Sequence, residues 1–259
     1  MSKIKLSKKD KIALLTINRP EVKNALDMET YEAFGSALKE VKEDSGVRVL
    51  VITGAGDSFC SGLDLNFAAA GHTKTVSEMV SSLQQLQDNF SFEKIEKPVI
   101  SAVNGYALGN GCDIALASDF VIASEKAKFA MAYTNLGLIP DLGGTFRLPR
   151  LVGLAAAREL IFTGERIDAG RALEIGMIGR VVAPEDLMNN TMEFANKLAK
   201  RAPIALAMAK AAIYKGLGVD LSTSLQFESY LQSICLQSSD MVEAVTALME
   251  KREPKFEGK

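Results

Sequence analysis

Residues 99–113 read VISAVNGYALGNGCD, an apolar run that three glycines interrupt. A buried strand is predicted at residues 98–103, with proline at its first position, where the missing N–H is tolerated. The following sequence Gly109-Asn110-Gly111 must bend the backbone sharply before a short helix predicted at residues 114–117. A strand, a glycine turn and a helix in this order are typical of an α/β core.

A second segment of the same kind, FCSGLDL at residues 59–65, follows the apolar run at residues 47–53. Both turns place main-chain N–H groups at the end of a strand. The later turn also lies at a helix N-terminus, which has unpaired N–H groups and a partial positive charge. We expect the N–H groups of Leu63 and Asn110 to point at one oxygen and to stabilise it as it becomes negative. Taken singly, either turn could equally serve close packing.

Strands and helices alternate through the first two thirds of the chain, which indicates parallel strands. Further strands are predicted at residues 12–17, 120–123 and 178–182. Helices are predicted after the capping residues Asp27 and Asp168 and at residues 76–90. Four more helices are predicted from residue 185 onward, at 185–201, 203–215, 221–237 and 241–252. The change to helix marks the candidate boundary, so we predict a core at residues 1–195 and a helical region at 196–259.

Composition excludes several classes of protein. The net charge of the 259 residues is −2 and the basic residues are scattered, unlike the basic stripe of a nucleic-acid binder. We expect no membrane span, because no apolar stretch reaches the roughly 20 residues that crossing a bilayer requires. The lysine-rich residues 1–10 lack the apolar centre of a signal peptide. Three widely spaced cysteines favour a reducing compartment, so we expect a cytoplasmic protein.

Several common site types are also excluded. The one histidine, His72, lies in a polar stretch that we expect to be a surface loop, so a histidine-rich metal site is impossible within one chain. Gly54-Ala55-Gly56 follows a strand, but Phe59 stands where a dinucleotide-binding motif needs its third glycine. Cys60 and Cys112 flank the predicted oxyanion turns without a nearby base in sequence, and we interpret them as small buried residues.

Four segments, in this order, resemble the enoyl-CoA hydratase/isomerase family, also called the crotonase family. They are NRPEVKNAL at 18–26, FCSGLDL at 59–65, residues 97–113, and LGLIPDLGGT at 136–145. The likeness includes the ending EKREPKF at 250–256 and covers essentially the whole chain. It implies a crotonase-like ββα superhelix, an α/β fold, with a C-terminal helical region that builds homotrimers, often paired into hexamers. It also implies an acyl-CoA substrate, with coenzyme A as part of that substrate, no other cofactor and no metal.

The resemblance also implies roles for individual residues. Leu63 and Asn110 match the two oxyanion-hole residues, whose N–H groups would hold the oxygen of a thioester as it becomes an enolate. Lys251 matches a basic residue that reaches CoA, on the same or a neighbouring subunit, although it could equally be a surface lysine that offsets a helix dipole. The residues that match the lining of the substrate channel are Lys23, Ala25, Leu26, Ser61, Asp64 and Leu65.

The sequence departs from the hydratases at their two catalytic glutamates. Asp113 matches the first glutamate and is one methylene shorter, and Tyr133 matches the second. Because a tyrosine has an ordinary pKa of about 10, it is a poor general base near neutral pH. We therefore expect Tyr133 to form a pocket wall or to donate a hydrogen bond. The segment that contains Asp141 is similar to the ring-1,2-epoxyphenylacetyl-CoA isomerases and to other isomerases of the family with a carboxylate at that position.

The leading hypothesis is an isomerase that shifts the double bond of an enoyl-CoA through an enolate, with Asp141 as the proton shuttle. A deep acyl pocket would raise the pKa of Asp141 from roughly 3.9 and make it a better base. Asp141 could instead form a turn, and Asp113 could serve only the helix dipole.

Two alternatives stay open. One is an enoyl-CoA hydratase that adds water to a trans-2-enoyl-CoA with Asp113 as its main carboxylate. The other is a non-catalytic protein that binds acyl-CoA or acts in assembly. The acyl chain is not encoded recognisably in residues 66–87, on which the pocket shape depends, and neither the pathway nor the choice between trimer and hexamer follows from the sequence.

Overall fold

The structure, a computed structural model, describes residues 2–66 and 75–259. The predicted loop around His72 lies outside these residues, as does part of the segment 66–87.

Within the described residues, ten strands form two sheets. They are β1 (Ile4–Lys9), β2 (Ile12–Ile17), β3 (Val49–Gly54), β4 (Ser58–Cys60), β5 (Val99–Val103), β6 (Tyr106–Leu108), β7 (Phe120–Ser124), β8 (Lys128–Ala130), β9 (Ile167–Asp168) and β10 (Arg180–Val182). The larger sheet has the order β1-β2-β3-β5-β7-β10, and the smaller sheet has the order β4-β6-β8-β9. Only the pairs β1–β2 and β8–β9 are antiparallel among the pairs in these sheets.

Nine α-helices lie wholly within the described residues. They are α1 (Met28–Glu43), α2 (Val76–Asn89), α3 (Asn110–Ala117), α4 (Gly144–Thr163), α5 (Ala169–Glu174), α6 (Leu187–Ala199), α7 (Pro203–Gly216), α8 (Leu221–Leu236) and α9 (Ser239–Met249). The predicted caps form: Asp27 accepts a hydrogen bond from the Thr30 N–H, and Asp168 accepts one from the Arg171 N–H. None of these helices combines the length and the apolar character that spanning a membrane requires.

Both faces of the larger sheet are covered, as expected for parallel strands. All six residues of β3 are buried, and alternate residues enter different clusters. Leu50 and Ile52 pack in the main core, whereas Val49 and Val51 pack with residues of α6 on the opposite face. Removing each such side chain from water stabilises the fold by roughly 1.5–3 kcal/mol, so this strand fixes the centre of the molecule.

The prediction of parallel strands and four C-terminal helices is confirmed. The five predicted strands correspond to β2, β3, β5, β7 and β10, with ends that shift by up to two residues. The helix predicted at residues 114–117 begins four residues earlier, at Asn110. Helix α4 was not predicted, because Pro149 and the positive φ of Gly153 (76°) interrupt its pattern. The three-residue strands β4, β6 and β8 are too short to show a period.

Candidate active site

The smaller sheet brings the two glycine turns together. Strands β4 and β6 are parallel neighbours, so the turns that follow them leave the sheet at the same edge. A Cβ atom on Gly62, whose φ is 96°, would lie 2.7 Å from the Leu108 carbonyl oxygen and 3.5 Å from the Asn110 nitrogen. A Cβ atom on Gly111 would overlap the carbonyl oxygen of Cys60. Only glycine permits this approach, so both turns pack directly against each other.

The two predicted oxyanion donors are free within the fold. Leu26 donates its N–H to the Gly62 carbonyl at 2.8 Å and accepts from the Asp64 N–H at 3.0 Å, which leaves the Leu63 N–H between them unused. Asn110 is the first residue of α3, where N–H groups have no partner in the helix. Across residues 2–66 and 75–259, neither the Leu63 nor the Asn110 N–H donates a hydrogen bond. Both remain available to a ligand oxygen.

These donors lie at a pocket of about 370 Å³. Seven of the predicted site residues line it: Ala25, Ser61, Leu63, Asp64, Leu65, Asn110 and Tyr133. Leu26 is fully buried behind the wall, and Lys23 is exposed, with its Nζ 4.8 Å from the centre of the Tyr106 ring. Lys251 is exposed beyond the end of α9 and does not line this pocket. Asp113 and Asp141 do not line it either, and Asp141 is linked to it through the side chain of Asn110. The structure of one chain therefore brings together all the predicted residues of the oxyanion turns but not Lys251.

One wall of the pocket depends on an arginine that the sequence analysis missed. Arg19 Nη2 lies 3.1 Å from an Asp64 oxygen and 3.2 Å from an Asp27 oxygen. Its Nη1 donates to the Ala25 carbonyl at 2.6 Å. Arg19 thus neutralises Asp64 and ties the pocket wall to the cap of α1. Arg19 lies within the family-like segment 18–26, but its partner Asp64 is distant in sequence, so the contact could not be predicted from local sequence.

Asp113 forms a closed pair with Tyr133. Asp113 is 0% exposed in the first turn of α3, and its Oδ2 accepts a hydrogen bond from the Tyr133 hydroxyl. The Leu142 N–H lies 3.4 Å from the same oxygen. Burial, helped by the nearby Asp141 carboxylate, raises the pKa of Asp113 to about 7, against the lowering effect of the Tyr133 hydrogen bond. Tyr133 lines the pocket, whereas Asp113 lies behind it.

Asp141 is held differently. It is half-buried in the loop before α4, and its Oδ1 accepts a hydrogen bond from Asn110 Nδ2 at 2.9 Å. Gln87 Nε2 donates to its main-chain oxygen at 2.8 Å. Burial raises the pKa of Asp141, while the Asn110 hydrogen bond lowers it. Asn110 therefore contributes a main-chain N–H to the pocket and a side-chain amide to Asp141. No local pattern links positions 31 residues apart, so this contact could not be predicted from the sequence.

The remaining polar chemistry near the turns is limited. Cys60 and Cys112 are both 0% exposed, which confirms their interpretation as small buried residues. Burial raises the pKa of the Cys60 thiol to about 12, so its nucleophilic thiolate is scarce at neutral pH. Among the described residues, no group of three or more histidine, cysteine, aspartate or glutamate side chains is placed to hold a metal ion.

Comparisons with known proteins agree with this geometry. The sequence model of the family described as enoyl-CoA hydratase/isomerase matches residues 7–259. The chain is 41% identical to a short-chain-enoyl-CoA hydratase of Clostridium acetobutylicum, covering 100% of this chain and 98% of that protein. It is 40% identical to a 1,2-epoxyphenylacetyl-CoA isomerase of Escherichia coli, covering 96% and 95%.

The fold matches as well. A crystal structure of an enoyl-CoA hydratase from Bacillus anthracis superposes with a TM-score of 0.94 at 36% identity, covering both chains completely. The matched residues include both glycine turns and the loop that contains Asp141. With a family model over nearly all its length and relatives above 30% identity, this chain belongs to the enoyl-CoA hydratase/isomerase family.

Proposed function

We propose that this chain is an enoyl-CoA isomerase that shifts a double bond in a CoA thioester, with Asp141 as the proton shuttle. The observation behind the proposal is the hydrogen bond of 2.9 Å between Asn110 and Asp141. It joins the candidate base to the residue whose N–H is a candidate oxyanion donor. A carboxylate and an oxyanion hole that share one residue are well placed to act on neighbouring atoms of the same acyl group.

The thioester oxygen accepts hydrogen bonds from the N–H groups of Leu63 and Asn110. As charge builds on that oxygen, these fixed donors stabilise it, and losing one such donor typically costs roughly 3 kcal/mol of barrier. Asp141 takes the proton from the α-carbon of a 3-enoyl-CoA with Oδ2, the oxygen that Asn110 leaves free. The electron pair spreads into a dienolate. Asp141 then returns the proton to the γ-carbon, which leaves a conjugated 2-enoyl-CoA and the original carboxylate.

The test is the variant Asp141→Asn with a 3-enoyl-CoA, following the rise in conjugated absorbance. Loss of a positioned proton-transfer group lowers rates by about 10²–10⁴-fold, so we expect kcat to fall within that range. Binding of an unreactive CoA ester, measured by calorimetry, should persist. Asp88→Asn changes an exposed aspartate of α2 and is the matched control. Full isomerase activity in Asp141→Asn would remove Asp141 from the mechanism.

The second candidate is an enoyl-CoA hydratase with Asp113 as its main carboxylate. It is favoured by the hydratase names of relatives at 41% and 38% identity. Against a direct role stands the complete burial of Asp113 behind Tyr133. Loss of conjugated absorbance from a 2-enoyl-CoA measures water addition. A non-catalytic acyl-CoA-binding or assembly protein, the third hypothesis, would turn over neither ester.

We also infer that the chain works as a homo-oligomer, a trimer or hexamer, with residues 196–259 as the interface. Large apolar side chains are exposed on α8 and α9, among them Leu221, Leu225, Leu248 and Met249, at 52–79% exposure. Exposed apolar surface of this extent is typical of contact surfaces. Light scattering should give three or six chains, and a monomer at micromolar concentration would contradict the inference.

The expected ligand is the acyl-CoA alone, without a further cofactor, in a reducing, cytoplasmic compartment. The three cysteines are all unpaired, which fits such a compartment.

A further inference from the structure

We propose that Tyr133 and Asp113 form a proton relay that lets this site add water to the acyl chain or remove it, with Tyr133 contacting the oxygen. This inference rests on the proposed function in one respect, because Asp141 handles the α-carbon proton in both reactions. It gives the tyrosine at the second glutamate position a chemical task.

The two members of the pair differ in access to the substrate. Tyr133 lines the pocket together with Leu63 and Asn110. A Cβ atom on Gly109 would lie 4.0 Å from Tyr133 Cζ, so the hydroxyl end of the ring lies beside the turn that precedes Asn110. Asp113 is 0% exposed and lies outside the pocket lining. Tyr133 therefore connects Asp113 to the pocket, because its hydroxyl contacts the carboxyl group and its side chain lines the wall.

The surroundings of Asp113 favour a carboxyl group that exchanges its proton. Its Oδ2 contacts the Tyr133 hydroxyl and the Leu142 N–H. Its Oδ1 is buried without a hydrogen-bond partner among the described residues, and it lies so near Gly144 that a Cβ atom there would overlap it. An ionised carboxylate would leave that oxygen uncompensated, at a high cost. Burial accordingly raises the pKa of Asp113 to about 7, so both protonation states are populated near neutral pH.

The protonation state of Asp113 sets the direction of the Tyr133 hydrogen bond. When Asp113 is ionised, the Tyr133 O–H donates to it, and the phenol oxygen offers a lone pair to the pocket. When Asp113 is protonated, its own O–H donates to the phenol oxygen, and the Tyr133 O–H is free to donate to the pocket. Because both protons move together, no phenolate forms. This matters since burial raises the pKa of Tyr133 well above 10.

The removal of water from a 3-hydroxyacyl-CoA then balances as follows. Asp141 takes the α-proton, and the electron pair of the resulting enolate forms the C2=C3 bond as the C3–O bond breaks. The departing hydroxide takes a proton from Tyr133, which takes the proton of Asp113. The products are a 2-enoyl-CoA and water, with Asp141 protonated and Asp113 ionised. Proton exchange with solvent restores both carboxyl groups, and water addition is the reverse.

The test compares wild type with Tyr133→Phe, Asp113→Asn and the double variant on two substrates. One is a 3-enoyl-CoA, whose isomerisation moves no oxygen, and the other is a 2-enoyl-CoA, which takes up water. We expect each single variant to lower the ratio of hydration to isomerisation by about 100-fold, the usual size of a general acid–base contribution. The double variant should lower it no further, because groups that act as one unit are not additive.

The pH profile separates a relay from a structural role. The titratable and charged groups that face Asp113 are Tyr31, Cys112, Tyr133, Asp141 and Arg147. Water removal needs Asp113 protonated, so its rate in wild type should fall as the pH rises through about 7. Water addition starts from the other arrangement of the same single proton, with Asp141 protonated and Asp113 ionised, so its kcat/KM should fall over the same pH range as that of water removal. The fall in rate through about pH 7 should be absent from Tyr133→Phe and from Asp113→Asn.

Each outcome decides the question. A wild-type enzyme that isomerises but never adds water overturns the relay and leaves the isomerase proposal intact. Losses that are equal for both substrates, or that add in the double variant, also overturn it. Retained isomerisation in Asp141→Asn instead overturns the proposed function, whatever the relay variants do. If Asp113→Asn fails to fold, Tyr133→Phe decides alone through its activity ratio and its pH profile, since it keeps the ring and loses only the hydroxyl.

Discussion

Replacement of Asn110 by alanine tests how the oxyanion turn and Asp141 are coupled. The main-chain N–H remains in Asn110→Ala, but the 2.9 Å hydrogen bond from Nδ2 to Asp141 Oδ1 is lost. A hydrogen bond to a charged group contributes about 1.5–3 kcal/mol. Asp141 is half-buried, so solvent replaces part of this and the lower value applies. We therefore expect kcat for isomerisation to fall by roughly tenfold, which corresponds to about 1.4 kcal/mol.

The variant should also change the pH dependence of the reaction. The Asn110 amide stabilises the ionised form of Asp141 and so lowers its pKa, and removing the amide raises that pKa. The base then becomes protonated at a higher pH, so the acidic limb of the kcat profile moves upward. The lower kcat and the shifted limb can both be measured from the conjugated absorbance, by stopped-flow or steady-state kinetics. The measurements run between pH 5 and pH 9, roughly two pH units on either side of neutrality.

Gln87→Ala is the matched control. It removes a hydrogen bond of 2.8 Å to the main-chain oxygen of Asp141 rather than to its carboxylate, so the acidic limb should stay where it is in wild type. An unmoved limb in Asn110→Ala, together with an unchanged kcat, would refute the coupling. A lower kcat with an unmoved limb would mean that the side chain shapes only the oxyanion turn.

Three further predictions concern the fold around the site. Asp113→Asn should flatten the pH dependence of the unfolding free energy. The pKa of Asp113 is about 7 in the folded chain and ordinarily 3.8, so its contribution to stability is full below about 3.8 and is lost as the pH rises through about 7. Urea unfolding of wild type and variant at pH 4, 6 and 8, roughly spanning that window, measures this contribution. An equal pH slope in both proteins would contradict the assigned pKa. Lys210→Met breaks an ion pair in which Lys210 Nζ lies 2.7 Å from the Asp119 carboxylate and the Lys210 side chain is 7% exposed. The variant should lose about 3 kcal/mol of unfolding free energy, because Asp119 keeps its charge in a largely buried place. A loss of the size typical of surface pairs, under about 1 kcal/mol, would show that solvent already reaches the pair. Gly111→Ala places a Cβ atom on the carbonyl oxygen of Cys60 and should separate the two oxyanion turns, with a loss of roughly 100-fold in kcat; near-normal activity would mean that the turns need not touch.

Much of this fold could be predicted because its central strands are continuous apolar runs. Strand β3 is buried on both faces and β5 likewise, so composition alone marked them. Helix α1 was marked by its cap and its apolar period. The short strands of the smaller sheet were missed since three residues show no period, and α4 was missed because Pro149 and Gly153 conceal it.

Part of the candidate site could likewise be predicted from local sequence. Local sequence sufficed for the two glycine turns, because a backbone that must approach another within a few ångströms admits only glycine and so shows in the sequence. The order of the four family-like segments indicated which residues would meet, and Leu63 and Asn110 do line one pocket.

The state of each carboxyl group was decided only by the tertiary structure. Asp113 and Asp141 look similar in local sequence, since each is an acid two residues from a glycine. Folding buries Asp113 completely against Tyr133 and leaves Asp141 half-buried beneath the Asn110 amide. Burial and hydrogen-bond partners set a pKa, and both arise from residues 20–31 positions apart that only the packed chain brings into contact. The sequence thus determined which groups are present at the site, and the packing determined which of them keeps its proton.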